Sequence, residues 1–197
     1  RPSLEELERL RPLPGPVVTG AKYDSRRVTP GDVFFALPGK NTHGIHFADE
    51  ALAKGATFIV TDQQHPKGVV VSDPATYLLK LGKQSRYART GAVIGVTGSV
   101  GKTTTKDLLA TAISAYASPG NRNTPLAHAT ELISIEAKHK PSKPIVLELG
   151  IDHVGEMNDL VDLAQPTHGI ITAIATTHLD GLTNLATIAA EKSLLLK

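Results

Sequence analysis

The stretch Val93-Ile94-Gly95-Val96-Thr97-Gly98-Ser99-Val100-Gly101-Lys102-Thr103-Thr104-Thr105-Lys106 decides the fold. Val93–Val96 reads as a short buried strand, and Lys102 opens a helix expected to run to Ala117. The loop between them, Thr97 to Gly101, has glycines at Gly98 and Gly101. Such a loop bends tightly and turns its amides inward, with a helix N-terminus behind them, which makes a concave site for phosphate oxygens. In that reading Thr97, Gly98, Ser99, Val100, Gly101, Lys102, Thr103 and Thr104 hold the phosphates of a nucleotide. Lys102 reaches the β- and γ-phosphates and the Thr103 hydroxyl ligates Mg²⁺. The strict nucleotide-loop pattern has glycine where Val96 stands, and Gly95 comes one residue too early. An ordinary glycine-rich turn is the bland alternative. Gly-Lys-Thr at a helix start, directly after a strand, argues against it.

Outward from the loop, Ile145–Leu149 and Gly169–Ile174 read as further apolar strands, and Glu156–Ala164 and Leu185–Leu196 as helices. Three apolar strands joined by helices imply a parallel sheet, whose ligands sit beyond the carboxyl ends of the strands. Glu148 ends the second strand, while the third leads to Thr172 and then His178. A carboxylate beside a phosphate loop is a natural Mg²⁺ ligand, although a solvated or helix-capping acid gives the same spacing. His178 alone is a weak signal. Lys192 falls on the apolar stripe of Leu185, Ile188, Ala189, Leu195 and Leu196. Burial favours the neutral amine, a nucleophile; the alternative is a boundary lysine that snorkels to solvent.

Upstream, Ser3 and Glu6 form a capping box for a helix to Arg9, and Arg11–Pro16 breaks the chain. Strands are expected at Val17–Tyr23, Val33–Leu37, Thr57–Val60 and Val69–Val71, with helices at Phe47–Lys54 and from Asp73-Pro74 to about Arg89. These readings place a boundary within Lys83–Thr90, with domains at 1–84 and 85–197. The expected fold class is α/β: a small N-terminal α/β domain followed by a P-loop parallel-sheet domain. His43 and His46 suggest zinc, but no third ligand stands near them.

Composition narrows the function classes. With 197 residues, 41% apolar and 20% charged, the chain has an ordinary globular composition and enough length to bury a core. It has no cysteine, which excludes disulfides and cysteine-ligated zinc and fits a reducing compartment. A net charge of +2 with 4% aromatic residues offers neither a basic stripe nor stacking platforms for nucleic acid. No apolar run approaches the ~18–20 residues of a membrane span. Lys197 falls inside a helical pattern, which reads as the end of a fragment.

Together these residues resemble the Mur ligase family. Asp24-Ser25-Arg26, Pro30-Gly31-Asp32-Val33-Phe34-Phe35-Ala36 and Gly39 through Phe47 look like its uridine-diphosphate-binding N-terminal domain. The glycine loop with Thr104-Thr105-Lys106 is similar to its ATP-binding central domain. So are Gly120-Asn121-Arg122-Asn123, Glu148-Leu149-Gly150 with Gly155-Glu156-Met157, and His178-Leu179-Asp180-Gly181 with Lys192. The Ser99/Thr105-Lys106 form of the loop and the run from Glu148 to Pro166 favour the members that join D-alanyl-D-alanine to UDP-N-acetylmuramoyl-tripeptide. The members that add the third amino acid, or an ATP-binding regulatory module without ligation, remain alternatives.

The resemblance implies a cytoplasmic, monomeric ligase in which ATP phosphorylates the peptide carboxylate and the incoming amine attacks the acyl phosphate. It implies that Lys102, Glu148, His178 and Lys192 are catalytic, and that Thr103, Glu148, His178 and Lys192, the last as a carbamate, ligate Mg²⁺. It also assigns Ser25, Arg26, Thr42, His43, Gly44, Asn121 and Asn123 to the UDP-linked substrate. Two departures stand out. His43 replaces the family's usual aspartate, and Thr124-Pro125-Leu126 follows Asn123 where the family continues with another asparagine and Gly-x-Pro. The central-domain part is about half the family's length, so these 197 residues alone are not expected to ligate.

Overall fold

Apolar runs too short for helices and rich in β-branched residues pair into two four-stranded sheets, each parallel throughout. The computed structural model describes residues 18–120, 123–176, 182 and 184–197. The chain divides into two compact units, 1–85 with 129–139 and 86–128 with 140–197. The helix expected from Ser3 to Arg9 lies outside the described residues.

In the first unit the strands β1 (Gly20–Lys22), β2 (Asp32–Phe35), β3 (Phe58–Thr61) and β4 (Gly68–Val70) lie in sequence order. Phe34 and Phe35 point to opposite faces of β2 and both are buried, as expected of a parallel strand covered on both sides. Phe34 and Ile59 pack with Val28, Ala36 and Ala56 against Ala48 and Ala51 of the short helix α1 (Ala48–Ala53). Asp73 starts helix α2 (Pro74–Tyr87), its carboxylate accepting from the N–H groups of Ala75 and Thr76.

In the second unit β5 (Val93–Thr97) sits between β7 (Ile145–Glu148) and β8 (His168–Ile171), with β6 (Tyr116–Ala117) at the edge beside β7. Pairing of Val96 with Glu148 and of Thr97 with Ile171 brings the three carboxyl ends to one rim. Helix α3 (Lys102–Ala112) follows β5. Its Ala110 joins Ile94, Val96 and Val146 in the core. Helix α5 (Glu156–Ala164) has the predicted bounds and buries Met157, Leu160 and Leu163.

Several elements differ from expectation. Helix α3 stops at Ala112, and Ser114 turns into the left-handed region at φ 53°. Residues 116–117 then pair with β7, because a free strand edge outweighs alanine's helix preference. A helix not anticipated, α4 (Pro125–Lys138), begins at Thr124, whose Oγ1 accepts from the N–H of Ala127 at 3.3 Å. The last helix, α6 (Leu185–Ser193), tightens into a 3₁₀ turn over Leu194–Leu196. There Leu195 packs against Gly95 and Gly169, where a side chain would leave it no room.

Candidate active site

The phosphate-loop geometry follows from its two glycines. Gly98 has φ 149° and Gly101 φ 81°, and a side chain at Gly98 would strike Thr172 Oγ1 and the backbone of Ala173. Gly101 is the N-cap of α3, and the first helical bond runs from the Thr105 N–H to the Gly101 carbonyl at 3.0 Å. The N–H groups of Lys102, Thr103 and Thr104 therefore precede the helix's own hydrogen bonds and sit at its positive end. Lys102 Nζ donates to the Gly98 carbonyl at 2.9 Å, so the ammonium lies across the loop mouth.

Ser99 has a different position from the rest. Its N–H donates to the Ala173 carbonyl at 2.8 Å, and its hydroxyl exchanges bonds with the carbonyl and N–H of Ala175 at 2.8 and 3.0 Å. Thr172 Oγ1 donates to the Val100 carbonyl at 2.6 Å. These bonds turn residues 173–175 from β5 toward the loop, which explains why the strand ends short of Ile174. They tie the loop to the segment leading toward His178, which itself lies outside the described residues, as does Asn121.

Parallel pairing delivers Glu148 to the loop. Its Oε2 accepts from Thr103 Oγ1 at 2.8 Å, and the residue as a whole is 4% exposed. A hydroxyl and a carboxylate at this separation are hard oxygen donors, the set Mg²⁺ takes. Among the described residues no three His, Cys, Asp or Glu side chains form a ready metal cluster.

Lys192 is 1% exposed. Burial, then the nearby Lys102 ammonium, lowers its pKa from 10.5 to about 8, with Asp152 acting in the opposite sense. The neighbouring Glu191 accepts from the Gly155 N–H at 3.0 Å and so fixes the turn before α5. Asn123 lies against Gly150, just past β7, and its Oδ1 is buried with no hydrogen-bond partner among the described residues. Sequence reasoning missed Ser118, whose Oγ accepts from the Glu148 N–H at 3.1 Å, because its strand is hidden in an alanine-rich run.

In the first unit, Ser25 and Arg26 follow β1, and Thr42, His43 and Gly44 lie in the connection after β2. Ser25 is buried and donates to Glu50 Oε2 at 2.8 Å. Arg26 is exposed and makes a two-bond pair with Asp24, which holds that carboxyl below its usual range. Thr42 is exposed. His43 Nδ1 accepts from the Ile45 N–H at 3.0 Å, the capping bond an aspartate would make. Its Nε2 stands 2.9 Å from Asp62 Oδ1, just after β3, so both ring nitrogens face protein groups rather than a metal. Added at Gly44, a Cβ would lie 2.7–2.9 Å from backbone atoms of Ala36 and Leu37. Gly44→Ala is expected to destabilise the chain by about 1–3 kcal/mol, read as a lower urea midpoint.

Known proteins match both units. The Mur ligase middle domain matches residues 96–197, and the Mur ligase family catalytic domain matches residues 17–83. UDP-N-acetylmuramoyl-tripeptide–D-alanyl-D-alanine ligase of Treponema pallidum is 32% identical over 88% of the chain. The chain spans 41% of that relative's length. Among solved structures, MurF from Acinetobacter baumannii gives a TM-score of 0.79 at 28% identity, over 98% of this chain and 45% of that one. MurF ligase from Thermotoga maritima in complex with ADP gives 0.75 at 30% identity, over 92% and 43%. No helix among the described residues is long and apolar enough to cross a membrane.

Proposed function

Because the chain belongs to the Mur ligase family, we propose that it works in the ATP-dependent joining of D-alanyl-D-alanine to UDP-N-acetylmuramoyl-tripeptide, a cytoplasmic step of peptidoglycan precursor synthesis. The observation that carries this reading is the 2.8 Å bond between Thr103 at the phosphate loop and Glu148 at the tip of β7. The names of the relatives support the choice of substrates. In this reading residues 1–84 bind the UDP-linked peptide, using Ser25, Arg26, Thr42, His43 and Gly44, and residues 85–197 are the first part of the ATP-binding domain. Asn121 and Asn123 extend the substrate site toward β7.

The substrate carboxylate attacks the γ-phosphorus and ADP departs; the dipeptide amine then attacks the acyl carbon, releasing phosphate and a proton. Two anions must meet, so catalysis rests on positioning and charge neutralisation. Lys102 and the positive end of α3 would steady the developing charge, while Ser99 and Thr172 hold the loop in register. Thr103 and Glu148 would hold one Mg²⁺ and His178 with a carbamylated Lys192 a second, the ions offsetting the repulsion between phosphate and carboxylate. The test is phosphate release by the protein expressed from its natural gene, given ATP, Mg²⁺ and the UDP-tripeptide. Release is expected with D-alanyl-D-alanine; release with diaminopimelate or lysine on the UDP-dipeptide instead would overturn the assignment.

A further inference from the structure

Lys106 lies near the Mg²⁺–ATP residues but is not one of them. It stands one turn beyond Thr103 on α3 and is 2% exposed, one turn before Ala110 of the apolar core layer. Its Nζ donates to the Ser118 carbonyl at 2.6 Å and lies 3.2 Å from Asp107 Oδ1. An ammonium in such a layer is stabilising only if its bonds do something an apolar residue of the same size cannot. The bond it makes leads to the site. Ser118 directly follows β6, its N–H donates to the Val146 carbonyl at 2.9 Å, and its hydroxyl accepts from the N–H of Glu148. The ammonium thus holds a residue that fixes the Glu148 backbone from the strand edge, and Glu148 in turn meets Thr103. Lys106 and Thr103 share α3, so the chain of bonds closes a ring from the helix through β6 and β7 back to the helix.

We propose that Lys106 is a positioning residue which, through Ser118, sets the Glu148 carboxylate opposite the Thr103 hydroxyl for Mg²⁺–ATP. The proposal rests on the reading of Thr103 and Glu148 given above. Groups behind a metal ligand are worth about 10–100-fold in metal affinity when removed. ATP affinity of the chain is measured by calorimetry with saturating Mg²⁺ and with EDTA, and the ratio of the two is the readout. Lys106→Met is expected to lower that ratio about 10-fold while leaving the EDTA affinity within about twofold. Ser118→Ala is expected to lower it as far, although it keeps the carbonyl that Lys106 uses, and the double variant no further. Lys106→Arg, which can still donate to that carbonyl, is expected to recover part of the loss.

An unchanged ratio in Lys106→Met, or equal losses with and without Mg²⁺, overturns the proposal. If circular dichroism shows Lys106→Met unfolded, Ser118→Ala decides: a lowered ratio supports the link and a wild-type ratio refutes it. Glu148→Gln separates this from the underlying reading. If it keeps the wild-type ratio, both fail; if it loses the ratio while Lys106→Met and Ser118→Ala keep it, the positioning role alone fails.

Discussion

Lys102→Ala is expected to weaken ATP binding by between about 30-fold and several thousand-fold, because truncating one partner of a desolvated charge pair costs about 2–5 kcal/mol. The fold should hardly notice. Lys102 is half-buried, and its ammonium donates to a carbonyl of its own loop. A cation in the first turn of a helix also opposes the positive end of that helix. The urea midpoint is therefore expected to stay within about 0.5 kcal/mol of the parent or to rise slightly. Calorimetric titration with ATP and a parallel urea melt read both effects. Retained affinity would remove the phosphate-loop mechanism, and a large loss of stability would recast Lys102 as a structural residue. The same variant should raise the titration point of Lys192, since the Lys102 ammonium is the second cause of its depression.

Lys192→Met is expected to make the nucleotide-free chain more stable at pH 7, by about 3 kcal/mol in CO₂-free buffer. The side chain is held at about 8 when folded against 10.5 in its ordinary state. Below pH 8 both folded and unfolded chains carry the proton, so the full cost of a buried ammonium is present. Between pH 8 and 10.5 the unfolded chain binds more protons than the folded one, and stability rises with pH until the penalty is gone. Methionine has similar length and no charge, so its advantage should shrink toward zero as pH passes through that window. Urea melts of both proteins at pH 7 and pH 10.5 measure it. An equal difference at the two pH values would show that packing, not charge, sets the effect.

On the proposed reading the cost of burying the Lys192 ammonium serves chemistry, because the neutral amine is the form that adds CO₂. Carbon-13 bicarbonate is expected to give a carbamate resonance in the parent and none in Lys192→Met. No resonance in the parent, with full activity in CO₂-free buffer, would remove the carbamate from the mechanism.

The loop from Thr97 to Thr103, the strand before it and helix α3 after it were all legible in the residues, because glycine and lysine at fixed offsets leave the backbone few options. The stripe on α6 left Lys192 between burial and snorkelling; the fold buries it, while Leu185 and Leu196 of the same stripe stay exposed. Strand β6 was not legible. Ala115-Tyr116-Ala117 favours a helix on its own and becomes a strand only where the edge of β7 offers it partners. Helix α4 carried its start signal in Thr124-Pro125, but the likeness of the preceding asparagines to a substrate loop masked it.

Periodicity and turn chemistry act over a few residues, so the glycine loop and the strands and helices other than β6 and α4 could be read along the chain. The meeting of Thr103 with Glu148, 45 positions apart, depends on strand order β6-β7-β5-β8, and so does the hold of Ser118 on Glu148 from 30 positions away. Those contacts arise from which strand edges pair, a choice made by burial and hydrogen bonding across the whole unit that no short window of residues contains.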